Sequence, residues 1–126
     1  MANTHDIQKS TRICKSSYSF AVVGGAVSTI VLPGSDILPS GAIVTEVIAD
    51  CTTTATSGGS ATFTVKAGGV TLSAATAVAS LTGTLTLALA SSATAVKATS
   101  SAGITVSIAV AALTAGVIDI YIGYII

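Results

Sequence analysis

Side chains able to do chemistry are few in this chain. It has one histidine, His5, two cysteines, Cys14 and Cys51, and five acids, Asp6, Asp36, Glu46, Asp50 and Asp119. Nucleophilic attack by a serine, threonine or cysteine needs a base within hydrogen-bond reach. The one imidazole stands among polar residues near the start and reads as a solvated terminal side chain. Carboxylate-pair hydrolysis needs two acids facing across a cleft. Glu46 and Asp50 share one strand face, roughly 13 Å apart along an extended chain, too far for a dyad. Calcium needs a dense run of oxygen ligands, and these acids are scattered. The cysteine spacing matches no zinc site. Free thiols packed as small hydrophobes are expected, with a disulfide left open. The pairs Gly24-Gly25, Gly58-Gly59 and Gly68-Gly69 lack nucleotide-loop context and read as turns. No catalytic residue, cofactor or metal is expected, so the chain is read as not an enzyme.

The same residues specify strands. Residues 41–69 read as two strands joined by Ser57-Gly58-Gly59, a hairpin. In the second, Ala61, Phe63 and Val65 alternate with Thr62, Thr64 and Lys66, which sends the two sets to opposite faces. In the first, residues 42–54, Ile43, Thr45, Val47, Ala49 and Cys51 share one face. Val44, Glu46, Ile48 and Asp50 share the other, so carboxylates stand among aliphatics. The 52–59 loop is expected to project. Before this unit, residues 18–23 and 26–32 read as strands around a Gly24-Gly25 break. Pro33-Gly34-Ser35-Asp36 is a turn, and Pro39 makes its segment a loop or an edge. After it come a short strand at 70–72, a loop with a turn of helix at 74–81, and strands at 84–89, 93–99, 104–110 and 117–124. In the last, Ile118, Ile120, Ile122 and Tyr124 oppose Asp119 and Tyr121. This spacing, with no βαβ pattern and no long repeat, predicts an all-β fold. It is an antiparallel, jelly-roll-like β-sandwich of about eight short strands.

Composition adds the surface. Of 126 residues, 51% are hydrophobic and only 8% charged, with zero formal net charge and no tryptophan. Soluble domains carry about a quarter charged residues, so this surface is expected to be covered by neighbours. The apolar run 104–126 alternates with Thr105, Ser107, Asp119 and Tyr121, which argues for strands and against a membrane helix. Three tyrosines and two phenylalanines are too few for the girdles of a membrane barrel. No secretory signal is read in residues 1–19, and no membrane partner is expected.

Residues 1–17 are expected to form an extended N-terminal arm and residues 18–126 a single sandwich domain. Deleting residues 1–15 is expected to leave the fold intact but to lower incorporation into particles. The arm carries Lys9, Arg12 and Lys15, too few positive charges without interleaved aromatics to argue for nucleic acid. The candidate subunit contacts are Lys9, Arg12 and Lys15 on the arm and Glu46 and Asp50 on the mixed strand face.

The stretch LPSGAIVTEVIADCTTTATSGGSATFTVKAGG, with the later AATAVASLT and ITVSIAVAALTAGVIDIYIGY, resembles small virion structural proteins of tailed bacteriophages. The likeness covers residues 14–124. It implies a non-enzymatic capsid decoration, or cement, protein assembled in the host cytoplasm. Such a protein binds the major capsid protein on the capsid exterior as a homo-oligomer, a trimer being favoured. The alternative is a fibre, tail or adhesin-like host-binding β-module.

Overall fold

Short runs of alternating apolar and hydroxyl-bearing residues, punctuated by glycine and serine, fold into eleven strands in a computed structural model that describes residues 11–91 and 94–126. The strands are β1 (Thr11–Ser19), β2 (Thr29–Val31), β3 (Ile37–Leu38), β4 (Ile43–Ser57), β5 (Thr62–Ala67), β6 (Val70–Thr71), β7 (Thr76–Ala77), β8 (Gly83–Leu87), β9 (Val96–Lys97), β10 (Ala102–Ala109) and β11 (Leu113–Ile125). A single helical turn, α1 (Phe20–Val23), follows β1, and a 3₁₀ turn covers Val78–Ser80.

All pairings are antiparallel, and they are nested. The first strand pairs with the last, β1 with β11; then β2 with β10, β4 with β8, and β5 with β6. The resulting sheets run β1-β11-β4-β8 and β2-β10-β5-β6, with β9 added to β4, β3 to β10 and β7 to β5. Nested pairing of this kind, shared between two facing sheets, is a jelly roll.

The inward faces supply one core. Ile118, Ile120 and Ile122 of β11 and Val47 and Ala49 of β4 meet Phe63 and Val65 of β5 and Ile104, Val106 and Ile108 of β10. Burying each of the larger side chains contributes about 1.5–3 kcal/mol. Tyr18 and Phe63 lock the two sheets edge to face, with ring centroids 5.7 Å apart at 77°. The Tyr18 hydroxyl donates to the Gly24 carbonyl at 2.7 Å, so its burial leaves no unpaired O–H.

Several expectations change. Residues 11–17, expected in the arm, form β1, which pairs residue for residue with β11 from Thr11↔Ile125 to Ser19↔Val117. Its inward side chains, Cys14, Ser16 and Tyr18, are buried, while the outward Ile13, Lys15 and Ser17 face solvent. Residues 1–10 of the expected arm lie outside the described residues. The expected strand at 18–23 is the end of β1 followed by α1.

The expected hairpin at 41–69 is not one. β4 pairs with β11, β8 and β9, and β5 pairs with β10, β6 and β7, so the turn at Gly58–Ser60 carries the chain from one sheet to the other. The expected 52–59 loop is mostly strand, because β4 runs to Ser57 beside Leu113. The strands are not uniformly short: β4 has 15 residues and β11 has 13.

The face assignment along β4 also breaks. Glu46 pairs with Gly123 and Val44 with Tyr124, which leaves Thr45 as an extra residue and makes a bulge. The bulge resets the alternation, so Val44 and Val47 both point inward while Thr45 and Glu46 are both exposed.

The sandwich has two ends. At the base, β1 enters beside the end of β11, and β9 joins the start of β4. At the apex, the end of β4 meets the start of β11, and the end of β10 meets the start of β5. Gly25 sits in the apex with its carbonyl accepting from Leu113 N–H at 2.8 Å. A Cβ there would lie 2.5 Å from the Leu113 carbonyl oxygen, so only glycine allows this approach.

Candidate contact site

The outer face of the β1-β11-β4-β8 sheet gathers three of the five expected contact residues. Register places them in successive rows across the strands: Ser17, Asp119, Asp50 and Thr84; then Lys15, Tyr121, Ile48 and Thr86; then Ile13, Gly123 and Glu46. In the first row the two carboxylates face each other across β11 and β4. Ser17 Oγ donates to Asp119 Oδ1 at 3.0 Å, and Thr84 Oγ1 donates to Asp50 Oδ1 at 2.9 Å. In the second, Lys15 Nζ stands 5.4 Å from the centre of the Tyr121 ring, a cation–π contact. In the third, Glu46 lies over Gly123, where an added Cβ would come 2.9 Å from Glu46 Cγ.

Gly123 also makes a floor. Ile13, Thr45, Glu46, Ile48, Tyr121 and Gly123 line a shallow depression of about 210 Å³. Ile13 is 66% exposed at its rim. Sequence reading missed this depression, because it depends on the Thr45 bulge and on which strands neighbour β4.

The other two expected residues do not join this face. Arg12 pairs with Tyr124 and shares its side of β1 with Cys14, Ser16 and Tyr18, so it sits exposed at the open base of the sandwich. Lys9 lies outside the described residues.

Asp36 guards the free edge of β1. Its carboxylate Oδ2 accepts from Lys15 N–H at 3.0 Å, and its own N–H donates to the Lys15 carbonyl at 3.0 Å. An occupied edge cannot template another strand at that point.

The cysteines are separate and buried. Cys14 pairs with Ile122 and Cys51 with Ile118, on strands either side of β11, and both are free thiols. Burial, with a smaller push from Asp36, raises the Cys14 thiol from 9.0 to about 11. Burial and Asp50 raise Cys51 in the same direction. A neutral, enclosed thiol is a poor nucleophile. Among the described residues no group of three or more His, Cys, Asp or Glu side chains is placed to hold a metal ion. No helix among them is long and apolar enough to cross a membrane. Among the described residues these side chains form no nucleophile–base or metal-ligand group.

The comparisons with known proteins agree on architecture. No protein-family model and no curated protein matches the chain. Solved structures do. A chain in the acidic stable capsid structure of Helicobacter pylori bacteriophage KHP30 superposes with a TM-score of 0.59 at 15% identity, over 92% of this chain and 87% of that one. A chain of the cyanophage Pam1 capsid asymmetric unit gives 0.62 at 20% identity, over 92% and 84%. One from the capsid of Ralstonia phage GP4 gives 0.56 at 20%, over 91% and 83%. The fold is one found in bacteriophage capsids. Because the match runs over most of both partners, it describes the whole sandwich and not a shared fragment.

Proposed function

We propose that this chain is a non-enzymatic virion structural protein, specifically a capsid decoration protein. It binds the major capsid protein on the outside of the head and stabilises the shell. The observation that carries the reading is the fold match over about nine-tenths of this chain to chains from three bacteriophage capsid structures. The match takes in 83–87% of each of those chains, so it is not confined to a fragment of them.

The surface supports the same reading. Only 8% of residues are charged, and the large exposed apolar side chains include Ile13, Val22, Val27, Val31, Val110 and Ile126. Repeated on a symmetric lattice, modest contacts of this kind multiply into firm attachment. Assembly as a homo-oligomer on a symmetry axis, a trimer first, fits that multiplication, as does assembly in the host cytoplasm. Lys15, Glu46 and Asp50 then flank one face for contact between subunits, with Arg12 nearer the base. Residues ahead of β1 would add reach as an arm.

A host-binding β-module of a fibre or tail is the second reading. The depression beside Tyr121 favours it, since recognition sites use exposed aromatics. At about 210 Å³ this depression falls below the roughly 300–1,000 Å³ of ordinary ligand pockets, and the fold match to capsid chains favours decoration. A density map of the assembled particle tests the choice. Jelly-roll density repeated over the outer shell is expected; density confined to the tail or fibres would overturn the decoration reading.

A further inference from the structure

The molecule is polarised along its long axis. Of its ten charged residues, Asp6 and Lys9 precede the described part. The other eight lie at the base or on the middle of the strands. Arg12, Lys66 and Lys97 sit next to basal strand ends or turns, and Glu46 stands opposite Gly123. Lys15, Asp36, Asp50 and Asp119 lie midway. The apical segments, residues 20–28, 58–61, 78–82 and 110–112, hold no ionisable side chain at all.

That charge-free end carries exposed valines: Val22 at 71%, Val27 at 55% and Val110 at 74%. Its loops interlock. Ile108 N–H donates to Ser28 O and Leu113 N–H to Gly25 O, both joining the 24–28 loop to β10 and β11. The 58–60 turn lies against the 110–112 turn, since a Cβ on Gly59 would be 3.1 Å from Ala111 Cβ. Beside it is a depression of about 400 Å³ lined by small uncharged residues, among them Gly59, Ala61 and Ala79.

Val110 is the one described non-glycine residue with a positive φ, 74°. Ala111 N–H donates to Ala109 O at 2.9 Å across it, closing a three-residue turn. A β-branched residue in this conformation is strained, and glycine would occupy it freely. A valine so exposed recovers little of that strain within the fold.

We infer that the apex is the surface that seats the protein on an uncharged, apolar patch of the capsid shell protein, with the charged base turned to solvent. This rests on the decoration reading. Cores of interfaces are depleted of charge, whereas surfaces that stay in water keep it. The partner patch must also be uncharged, because a charge there would lose its water and find no counter-charge here. Attachment by one end suits a shell lattice. Pairing of two apices would close a dimer with no apex left for the shell.

The test uses full-length variants and heads of the cognate phage that lack this chain, scored by co-sedimentation. Val27→Asp places a charge on an exposed site and Val110→Gly relaxes the turn, so both should fold. Val27→Asp is expected to weaken binding about ten-fold or more. Val110→Gly should weaken it several-fold while keeping or raising the melting temperature, a combination that loss of fold cannot produce. Lys97→Glu at the base should bind as the parent does. Parent-like binding by both apical variants would overturn the inference while leaving decoration standing. So would a parent dimer that Val27→Asp dissolves in the absence of heads, since a second copy would then occupy the apex. Failure of the parent to bind any head would overturn the decoration reading and this inference together.

Discussion

Asp50 and Asp119 stand directly opposite one another on β4 and β11, each held by a hydroxyl from its far side. Like charges directly opposite on neighbouring strands destabilise a sheet. The hydroxyls of Thr84 and Ser17 offset this by donating to the two carboxylates. An asparagine at residue 119 would keep an acceptor for Ser17 and remove one charge. Asp119→Asn should therefore raise stability by about 0.2–1 kcal/mol, seen as a higher urea midpoint at low ionic strength. The gain should shrink as salt screens the pair in the parent. A lower midpoint for the variant would show that the carboxylate stabilises the row.

Ser16 faces the core between Cys14 and Tyr18, and its hydroxyl has no hydrogen-bond partner among the described residues. A buried unpaired hydroxyl costs on the order of 1–3 kcal/mol. Ser16→Ala should be at least as stable as the parent, with a gain of about 1 kcal/mol. Thermal unfolding measures it. A clear loss of stability would mean that the hydroxyl is satisfied in solution.

Alkaline pH should weaken the fold through Cys14. Its thiol is held neutral up to about 11 by burial first and by Asp36 second, against an ordinary 9.0. The unfolded chain then ionises first as pH rises. The stability this provides is complete below pH 9 and is lost between 9 and 11. Cys51 and Tyr18, both raised by burial, act in the same direction. Urea midpoints taken under reducing conditions from pH 8 to 11 should fall, and fall less steeply for Cys14→Val. Equal slopes for parent and variant would remove Cys14 as a cause.

Truncation separates the arm from the strand. Removing residues 1–10 should leave the melting temperature within a few degrees of the parent, because β1 begins at Thr11. Removing residues 1–17 should leave the protein unfolded or molten, since it strips Cys14 and Ser16 from the core and exposes β11 along its length. Near-ultraviolet circular dichroism distinguishes the two. If both truncations fold alike, β1 is not integral to the sandwich. If the shorter truncation folds yet no longer incorporates into heads, the first ten residues act as a gripping arm.

What could be read from the sequence was local and periodic. Ala61–Lys66, Ile104–Ile108 and Ile118–Tyr124 alternate cleanly, and each lies in the sandwich wall with the expected side buried. Glu46 and Asp50 are legible as sharing one mixed face of their strand, and they do, whereas Lys15, read as part of the arm, reaches the same side of the sheet only through β1. β1 was not legible as a strand, because an edge strand of a jelly roll needs only one apolar face. Here that face consists of Cys14, Ser16 and Tyr18. The cross-sheet passage at Gly58–Ser60 was equally hidden, since a glycine turn has the same local chemistry whether it closes a hairpin or bridges two sheets. The bulge at Thr45 depends on the partner strand, and so does the depression it shapes. Val110 continues the alternation of β10 in sequence, but the chain reverses there and leaves it exposed.

Counting the chain in purified particles tests the decoration role most directly. Quantitative mass spectrometry of intact virions, referenced to the major capsid protein, should give on the order of hundreds of copies per head, in a fixed ratio to the shell protein as lattice symmetry requires. A handful of copies per particle, or none, would contradict it.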